Sequence, residues 1–320
     1  MLNDDDASQL LSHFPPVEFA FAYGSGVVEQ SGYTYEHPAH LPMLDAVLVV
    51  DNPTQWHTDN MHQNPSHYSP LIPVGPRLVA SFQERIPAHL WFNTYVPITS
   101  GRYAGRMMKY GIISKKDILM DLSSWSDLYT AGRLQKPVRI LKGNAEIEGA
   151  MGLNLESAVR ASLLMLPERF DEKDLYMSIA SLSYVGDPRM YFGENPKKVV
   201  NLVTPVVHHY KTLYQDAIKV LSPTLLASSS GSLTTFTQNT SNSSRWGLCL
   251  ALPSKVQRLL QIKNREKYMN SKPPQSSAVR AAISSIVARS ASMQTIKGFF
   301  MVGLVKGSSY LFQKMRKRFA

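Results

Sequence analysis

Two features of this 320-residue chain carry the residue types that phosphate chemistry uses. Tyr23-Gly24-Ser25-Gly26 follows an apolar run over residues 17–23. Small residues after a strand let backbone N–H groups approach a phosphate with no Cβ in the way, and the Ser25 hydroxyl adds a donor. No Gly-Lys-Ser/Thr follows, so the bend is not a Walker loop; a plain turn between strands has the same composition. Asp45 lies inside the next apolar run, Met43-Leu44-Asp45-Ala46-Val47-Leu48. An ionised carboxylate there is costly unless it is paired or bound to a metal. Asp45 is therefore either the partner of a nearby Arg or a ligand for Mg²⁺ beside a nucleotide. The position two residues on is Val47, so no second carboxylate stands beside it. Asp51 shares the strand face, but six residues at ~3.3 Å each put it about 20 Å away. It reaches the same ion only if the chain folds back, and Asp121 only from another element.

Three cations accompany these groups. Lys109, in Met108-Lys109-Tyr110-Gly111, sits in an apolar strand where a free ammonium is unwelcome. Arg133 and Lys136 stand three residues apart before a predicted strand. Arginine offers a fork that matches phosphate oxygens, and lysine a point charge; surface or salt-bridged cations have the same sequence signature. His57, His62 and His67 fall five apart, which is neither one helical face nor a zinc spacing, and read as structural or surface residues.

The elements that must position these groups are alternating strands and helices. Residues 17–23, 44–50, 90–98, 106–113 and 138–142 read as strands, and residues 54–60 and 116–129 as helices. This makes a mixed α/β domain over 1–145. Beyond it the pattern turns helical over 146–225. Helices are predicted at 153–166, at 171–184 with Asp171 as N-cap and Asp174 at the third helical position, and at 196–221 with a break at Pro205. Residues 226–253, rich in Ser, Thr and Asn, read as a flexible loop. A small-residue helix is predicted at 280–293 in the C-terminal region 254–320.

Composition narrows the class. Hydrophobic residues are 44% and charged residues 18%, enough apolar content for a large core and too little charge for a disordered chain. The single cysteine, Cys249, excludes an internal disulfide. The longest apolar runs fall far short of the ~20 residues of a membrane span. Residues 254–320 hold 14 Lys/Arg against one acid, Glu266, a net +13 that leaves −3 on the first 253 residues. Such a polycation suits nucleic acid, an anionic lipid surface or an acidic partner. Its last stretch, residues 310–319, mixes aromatics with cations, as a lipid interface favours. The start, Met1-Leu2-Asn3-Asp4-Asp5-Asp6, is acidic and shows no organelle address.

Taken in order, these segments resemble one family, the mitochondrial phosphatidate cytidylyltransferases, also called translocator assembly and maintenance proteins. The resemblance rests on Tyr23-Gly24-Ser25-Gly26-Val27, Met43-Leu44-Asp45 with Val50-Asp51-Asn52-Pro53, Trp56-His57, and Pro65-Ser66-His67-Tyr68-Ser69. It continues through Lys109-Tyr110-Gly111-Ile112-Ile113-Ser114, Leu128-Tyr129, and Ala131-Gly132-Arg133-Leu134-Gln135-Lys136-Pro137-Val138. The second half adds Leu182-Ser183-Tyr184, Gly186-Asp187, Arg189-Met190, Gly193-Glu194, Ser284-Ser285-Ile286-Val287 and Lys297-Gly298, with little over 222–275.

The resemblance implies a polymerase-β-like nucleotidyltransferase domain followed by a mostly helical, winged-helix-like domain, with the pocket between them. It implies conversion of CTP and phosphatidic acid to CDP-diacylglycerol and pyrophosphate, upstream of cardiolipin, with Mg²⁺ as cofactor. It also implies a peripheral position on the matrix side of the mitochondrial inner membrane. In that frame Tyr23, Gly24 and Ser25 hold CTP. Asp45, with a weaker contribution from Asp51, holds the metal. Lys109, Arg133 and Lys136 neutralise the triphosphate or the incoming phosphatidate. The reaction suits such a residue set, because the nucleophile is already an anion and the obstacle is bringing two polyanions together. The basic tail and Phe299-Phe300-Met301 would meet an anionic membrane surface. Two competing expectations are a related transferase with a nucleic-acid acceptor and a non-enzymatic import assembly factor. The tail lacks the regular aromatic interleaving that stacks bases, so no nucleic-acid partner is expected.

Overall fold

The apolar runs of the first half pair into one sheet. The structure, a computed structural model, describes residues 2–27, 42–68, 75–192, 195–222, 224–230, 233–262 and 271–319. Strands β1 (Phe19–Tyr23), β2 (Leu44–Val50), β3 (Trp91–Pro97), β4 (Met107–Ser114) and β5 (Arg139–Lys142) lie in the order β3-β4-β2-β1-β5. β2 runs parallel to β4 and antiparallel to β1. It sits mid-sheet and is buried throughout except at Asp45, which accounts for its nearly unbroken apolar sequence. Helices α1 (Asp4–Leu11), α2 (Pro53–Gln63), α3 (Gly75–Arg85) and α4 (Lys115–Ser124) flank the strands. α2 starts where its sequence dictates, with Pro53 in its first turn and the Asn52 side chain accepting from the Gln55 amide at 3.1 Å. The helix predicted over 116–129 ends early, at Ser124, because Trp125 takes a left-handed backbone (φ 53°). A short helix, α5 (Thr130–Leu134), follows.

Behind the sheet, α2 is fastened to β4 by polar side chains. The Tyr110 hydroxyl accepts from Asn60 Nδ2 (3.0 Å) and Asn93 Nδ2 (2.8 Å) and donates to His67 Nδ1 (2.8 Å). With the Gln83 carbonyl oxygen 3.0 Å from its Nε2, His57 carries its proton there and accepts the Tyr68 hydroxyl at Nδ1 (2.8 Å). Neighbours on a strand point to opposite faces, so fixing Tyr110 behind the sheet aims Lys109 out of the front. Burial pushes both imidazoles down to about 4. Fully buried His57 must charge when acid is added, and its depressed value means the unfolded chain takes up the proton first. Its share of stability is therefore complete above about pH 6.5 and drains away toward pH 4, a loss of about 3 kcal/mol. Urea unfolding at pH 7 and pH 4.5 reads this as a falling midpoint. In His57→Gln the difference between the two pH values should shrink; an unchanged difference contradicts the assignment.

The second half stacks on the first through α6 (Ala145–Met165), which begins eight residues before its predicted start. Asn154 on α6 accepts from Trp125 Nε1 (2.8 Å) and Gln135 Nε2 (3.0 Å) and donates to the Ala131 carbonyl (3.0 Å). Then come β6 (Arg169–Asp171), α7 (Glu172–Ser181), α8 (Arg189–Phe192), α9 (Lys198–Val203) and α10 (Val207–Val220). α7 carries the expected capping box, in which Asp171 accepts from the Asp174 amide at 2.7 Å. The predicted break at Pro205 is a 3₁₀ turn between α9 and α10.

The flexible loop expected over 226–253 is instead a hairpin, β7 (Leu225–Ser230) and β8 (Leu233–Gln238), followed by α11 (Asn242–Leu250). Thr234, Phe236 and Gln238 are buried at every second position. Thr is β-branched, and its place in a period-2 pattern outweighs the polar composition. Phe236 stacks on Phe170 of β6 at 5.7 Å, and Gln238 Nε2 donates to the carbonyls of Leu163, Leu166 and Pro167 at the end of α6. The small sheet runs β6-β8-β7.

After α12 (Ser254–Leu259), helix α13 (Ser276–Phe319) includes the helix predicted over 280–293 and extends it in both directions; it buries Val279, Ile283, Ile286 and Val287, so this part of the region read as membrane-docking is core. Ser290 Oγ donates to the Asp127 carbonyl (2.8 Å), and buried Lys297 donates to the carbonyls of Leu90 (2.9 Å) and Ile86 (3.3 Å). The expected membrane-facing side chains of residues 299–319, like Gly193 and Glu194, lie outside the described residues. Among the described residues no helix is long and apolar enough to cross a membrane.

Candidate active site

Strand register assembles the first part of the site. Tyr23 of β1 pairs with Asp45 of β2, and Asp45 pairs with Lys109 of β4. Three neighbouring strands thus present these side chains side by side. After Tyr23 the chain makes a 3₁₀ turn, Gly24–Gly26. Gly24 has φ +78°, a left-handed backbone that glycine adopts freely, and a Cβ placed there would lie 3.8 Å from Asp45 Oδ2. The acid therefore stands beside the bend, about one side-chain atom away. Ser25 follows in the middle of the turn, half-buried. Arg106 ties the turn to the approach of β2, donating to the Pro42 carbonyl (2.8 Å) and the Gly26 carbonyl (3.1 Å).

Electrostatics focus on Asp45. Its side chain is 31% exposed, and Lys109 Nζ lies 3.9 Å from Oδ1. Burial pushes the carboxyl above its ordinary range, against the pull of Lys109, Arg133, Lys198 and Arg106. Lys109 Nζ also sits 4.4 Å from the centre of the Phe92 ring. The Arg133 guanidinium lies over Tyr129 (4.0 Å) and Tyr23 (5.2 Å), and its Nη1 donates to the Tyr129 carbonyl at 2.8 Å. Lys136 Nζ donates to the Gly132 carbonyl (2.5 Å) and to Ser183 Oγ (2.6 Å). Burial, then repulsion from Arg133 and Lys198, brings that ammonium down to about 7.

Only some of these groups open on a cavity of about 190 Å³ between the sheet, α5, the α7–α9 segment and α13, and Ser25, Asp45 and Lys109 are not among its lining residues. Tyr23, Gly24, Arg133 and Lys136 line it, joined by Arg189 and Lys198. Asp187 holds Arg189 through Nε (2.9 Å) and Nη2 (2.6 Å). Asp51 is not brought here. It stands past the other end of β2, which pairs without register shift on both sides, and it lies in the field of Lys115. A regular strand keeps the two carboxylates apart. Asp121 is turned inward, where it accepts five backbone amides, Asp127 and Leu128 at one oxygen and Tyr129, Thr130 and Ala131 at the other. Among the described residues no group of three or more His, Cys, Asp or Glu side chains gathers to hold a metal.

A family model described as "Phosphatidate cytidylyltransferase, mitochondrial" matches residues 7–317. The chain belongs to this family. Mitochondrial phosphatidate cytidylyltransferases of Mus musculus, Danio rerio and Schizosaccharomyces pombe are 38%, 39% and 35% identical to it. The matches cover 97%, 97% and 98% of this chain and 93%, 93% and 83% of the relatives. The family resemblance drawn from short motifs thus extends through the region over 222–275 in which the motifs were silent. Lys198 had no such motif. In the sequence it follows Lys197 at the start of a short apolar helix, where a solvated lysine is ordinary, and only the fold turns it toward the cavity.

Proposed function

We propose that this chain transfers a cytidylyl group from CTP to phosphatidate, giving CDP-diacylglycerol and pyrophosphate and feeding cardiolipin synthesis. The placement of Asp45 beside the Gly24–Gly26 bend, whose Gly24 lines a cavity with Arg133, Lys136, Arg189 and Lys198, carries the reading. A phosphate oxygen of phosphatidate attacks the α-phosphorus, the bond to the β-phosphate oxygen breaks, and pyrophosphate leaves. No group need remove a proton from the nucleophile. The protein's task is to hold two polyanions in line and offset their charge.

In this reading Tyr23, Gly24 and Ser25 cradle the triphosphate, and Lys109 and Arg133 offset its charge. Mg²⁺ binds through one or two carboxylates together with substrate phosphates and water. Asp45, a partly exposed carboxylate beside a bend that admits phosphate, fits that donor set with Lys109 steadying it. Bound there, the ion supplies charge neutralisation at the triphosphate. The five-stranded sheet with its bend after β1 suits the polymerase-β-like class, and the helices with the β6-β8-β7 sheet suit a winged-helix-like unit. Peripheral attachment to the matrix face of the mitochondrial inner membrane completes the proposal. Incubating the purified chain with Mg²⁺, labelled CTP and phosphatidate is expected to release pyrophosphate and label the lipid. A chain that does neither is not this enzyme.

A further inference from the structure

The cavity holds a second cationic locus, apart from the bend and Asp45. Lys136 Nζ and Lys198 Nζ both lie over the Tyr184 ring, 5.0 Å and 5.3 Å from its centre. Ser183 Oγ, on the neighbouring residue, holds Lys136. Three separate segments supply these groups, and close contacts fix the segment between them. A Cβ on Gly132 would collide with the Ser183 side chain. One on Gly186, whose φ is +82°, would come 2.6 Å from the Ser284 carbonyl oxygen of α13. The loop carrying Ser183 and Tyr184 is thus clamped between α5 and α13, and Asp187 holds Arg189 at its end. Leu202 and Val206 line the cavity beyond Lys198.

We propose that Lys198 and Lys136, gathered over Tyr184 beside Ser183, seat the phosphate of the acceptor phospholipid, and that Lys198 sets acceptor affinity. The inference rests on the cytidylyl-transfer reading and adds the place where the second substrate binds. Ammonium groups donate hydrogen bonds and accept none. A cytosine edge requires an acceptor as well as donors, whereas a phosphate monoester takes donors alone. Two ammonium groups over one ring both attract an anion placed between them. The adjoining apolar wall suits the glycerol end of a lipid.

The test uses the full chain with Mg²⁺, CTP and dihexanoyl phosphatidate, a soluble acceptor that takes membrane docking out of the readout. Lys198→Gln is expected to raise KM for phosphatidate about tenfold or more, the loss of one charge-assisted hydrogen bond. It should lower kcat by less and leave the Kd of CTP, measured by calorimetry, within about twofold. Lys198→Arg should recover part of the acceptor affinity. An unchanged KM for phosphatidate, or a Kd for CTP that rises as much as that KM, overturns the assignment. Should Lys198→Gln melt below the assay temperature, Tyr184→Leu carries the same expectation, since it removes the ring beneath both ammonium groups. Wild-type protein that makes no CDP-diacylglycerol overturns the inference together with the reading beneath it. An active wild type whose Lys198 variants behave normally rejects the acceptor seat alone.

Discussion

Asp45→Asn is expected to lower CDP-diacylglycerol formation on the order of 10³-fold while leaving the melting temperature unchanged or raised. The two halves of the expectation come from the same carboxylate. Among the described residues it is the acid beside the glycine bend, 3.8 Å from a Cβ placed on Gly24, and in the proposed reading it carries the metal-bound triphosphate. Burial raises it above the usual carboxylate range, against four cations. Its ionised form is therefore less comfortable in the fold than in the unfolded chain, and a neutral isostere relieves that cost. Lys109 loses a partner at 3.9 Å, but it keeps the Phe92 ring and is itself partly exposed. Turnover measured beside a thermal melt decides the matter. Asp45→Asn that keeps a tenth of wild-type rate, or that unfolds, removes Asp45 from the site.

The site was legible where its geometry is local. Strand alternation and a glycine bend are written in consecutive residues, so Gly24, Asp45 and Lys109 could be picked out from the sequence. The register that sets Tyr23, Asp45 and Lys109 in one row then follows from pairing three apolar strands. What stayed hidden depends on tertiary approach. Lys198 lines the cavity from α9, after a loop whose close glycine contacts pack it against α5 and α13, an approach that no run of consecutive residues displays. Lys297 counts toward the +13 of the C-terminal region in sequence, yet it is buried and spends its donors on the carbonyls of Leu90 and Ile86. The hairpin of β7 and β8 was hidden because Ser, Thr and Asn serve both loops and half-buried strands, and the choice is made by a partner strand, β6, more than fifty residues earlier in the chain. Asp121 shows the same limit most sharply, since an acid on a predicted helix looks identical whether it faces a metal or its own backbone.

Replacing Asp121 with Asn or with Ala is expected to destabilise the fold by about 3 kcal/mol or more, and Asn should be nearly as harmful as Ala. The carboxylate is 4% exposed and accepts five amides at 2.7–3.1 Å, from Asp127 through Ala131. Burial and the nearby Asp127 disfavour its charge, and the amides oppose them. Two oxygens with four lone pairs can serve such a cluster. An amide offers one oxygen and turns its NH₂ toward amides that already point inward. The loop so gathered holds Leu128 in a left-handed backbone (φ 50°), presents Tyr129 to the cavity and starts the helix that carries Arg133. Both substitutions should therefore weaken CTP binding in whatever fraction remains folded, as well as lowering the melting temperature by roughly 5 °C or more. The contrast with Asp45 makes the pair informative: the same change, Asp to Asn, costs activity without stability at one position and stability together with ligand affinity at the other. Equal melting temperatures for Asp121→Asn and wild type would mean that the five amides find partners elsewhere, and that Asp121 does not set the shape of the cavity wall.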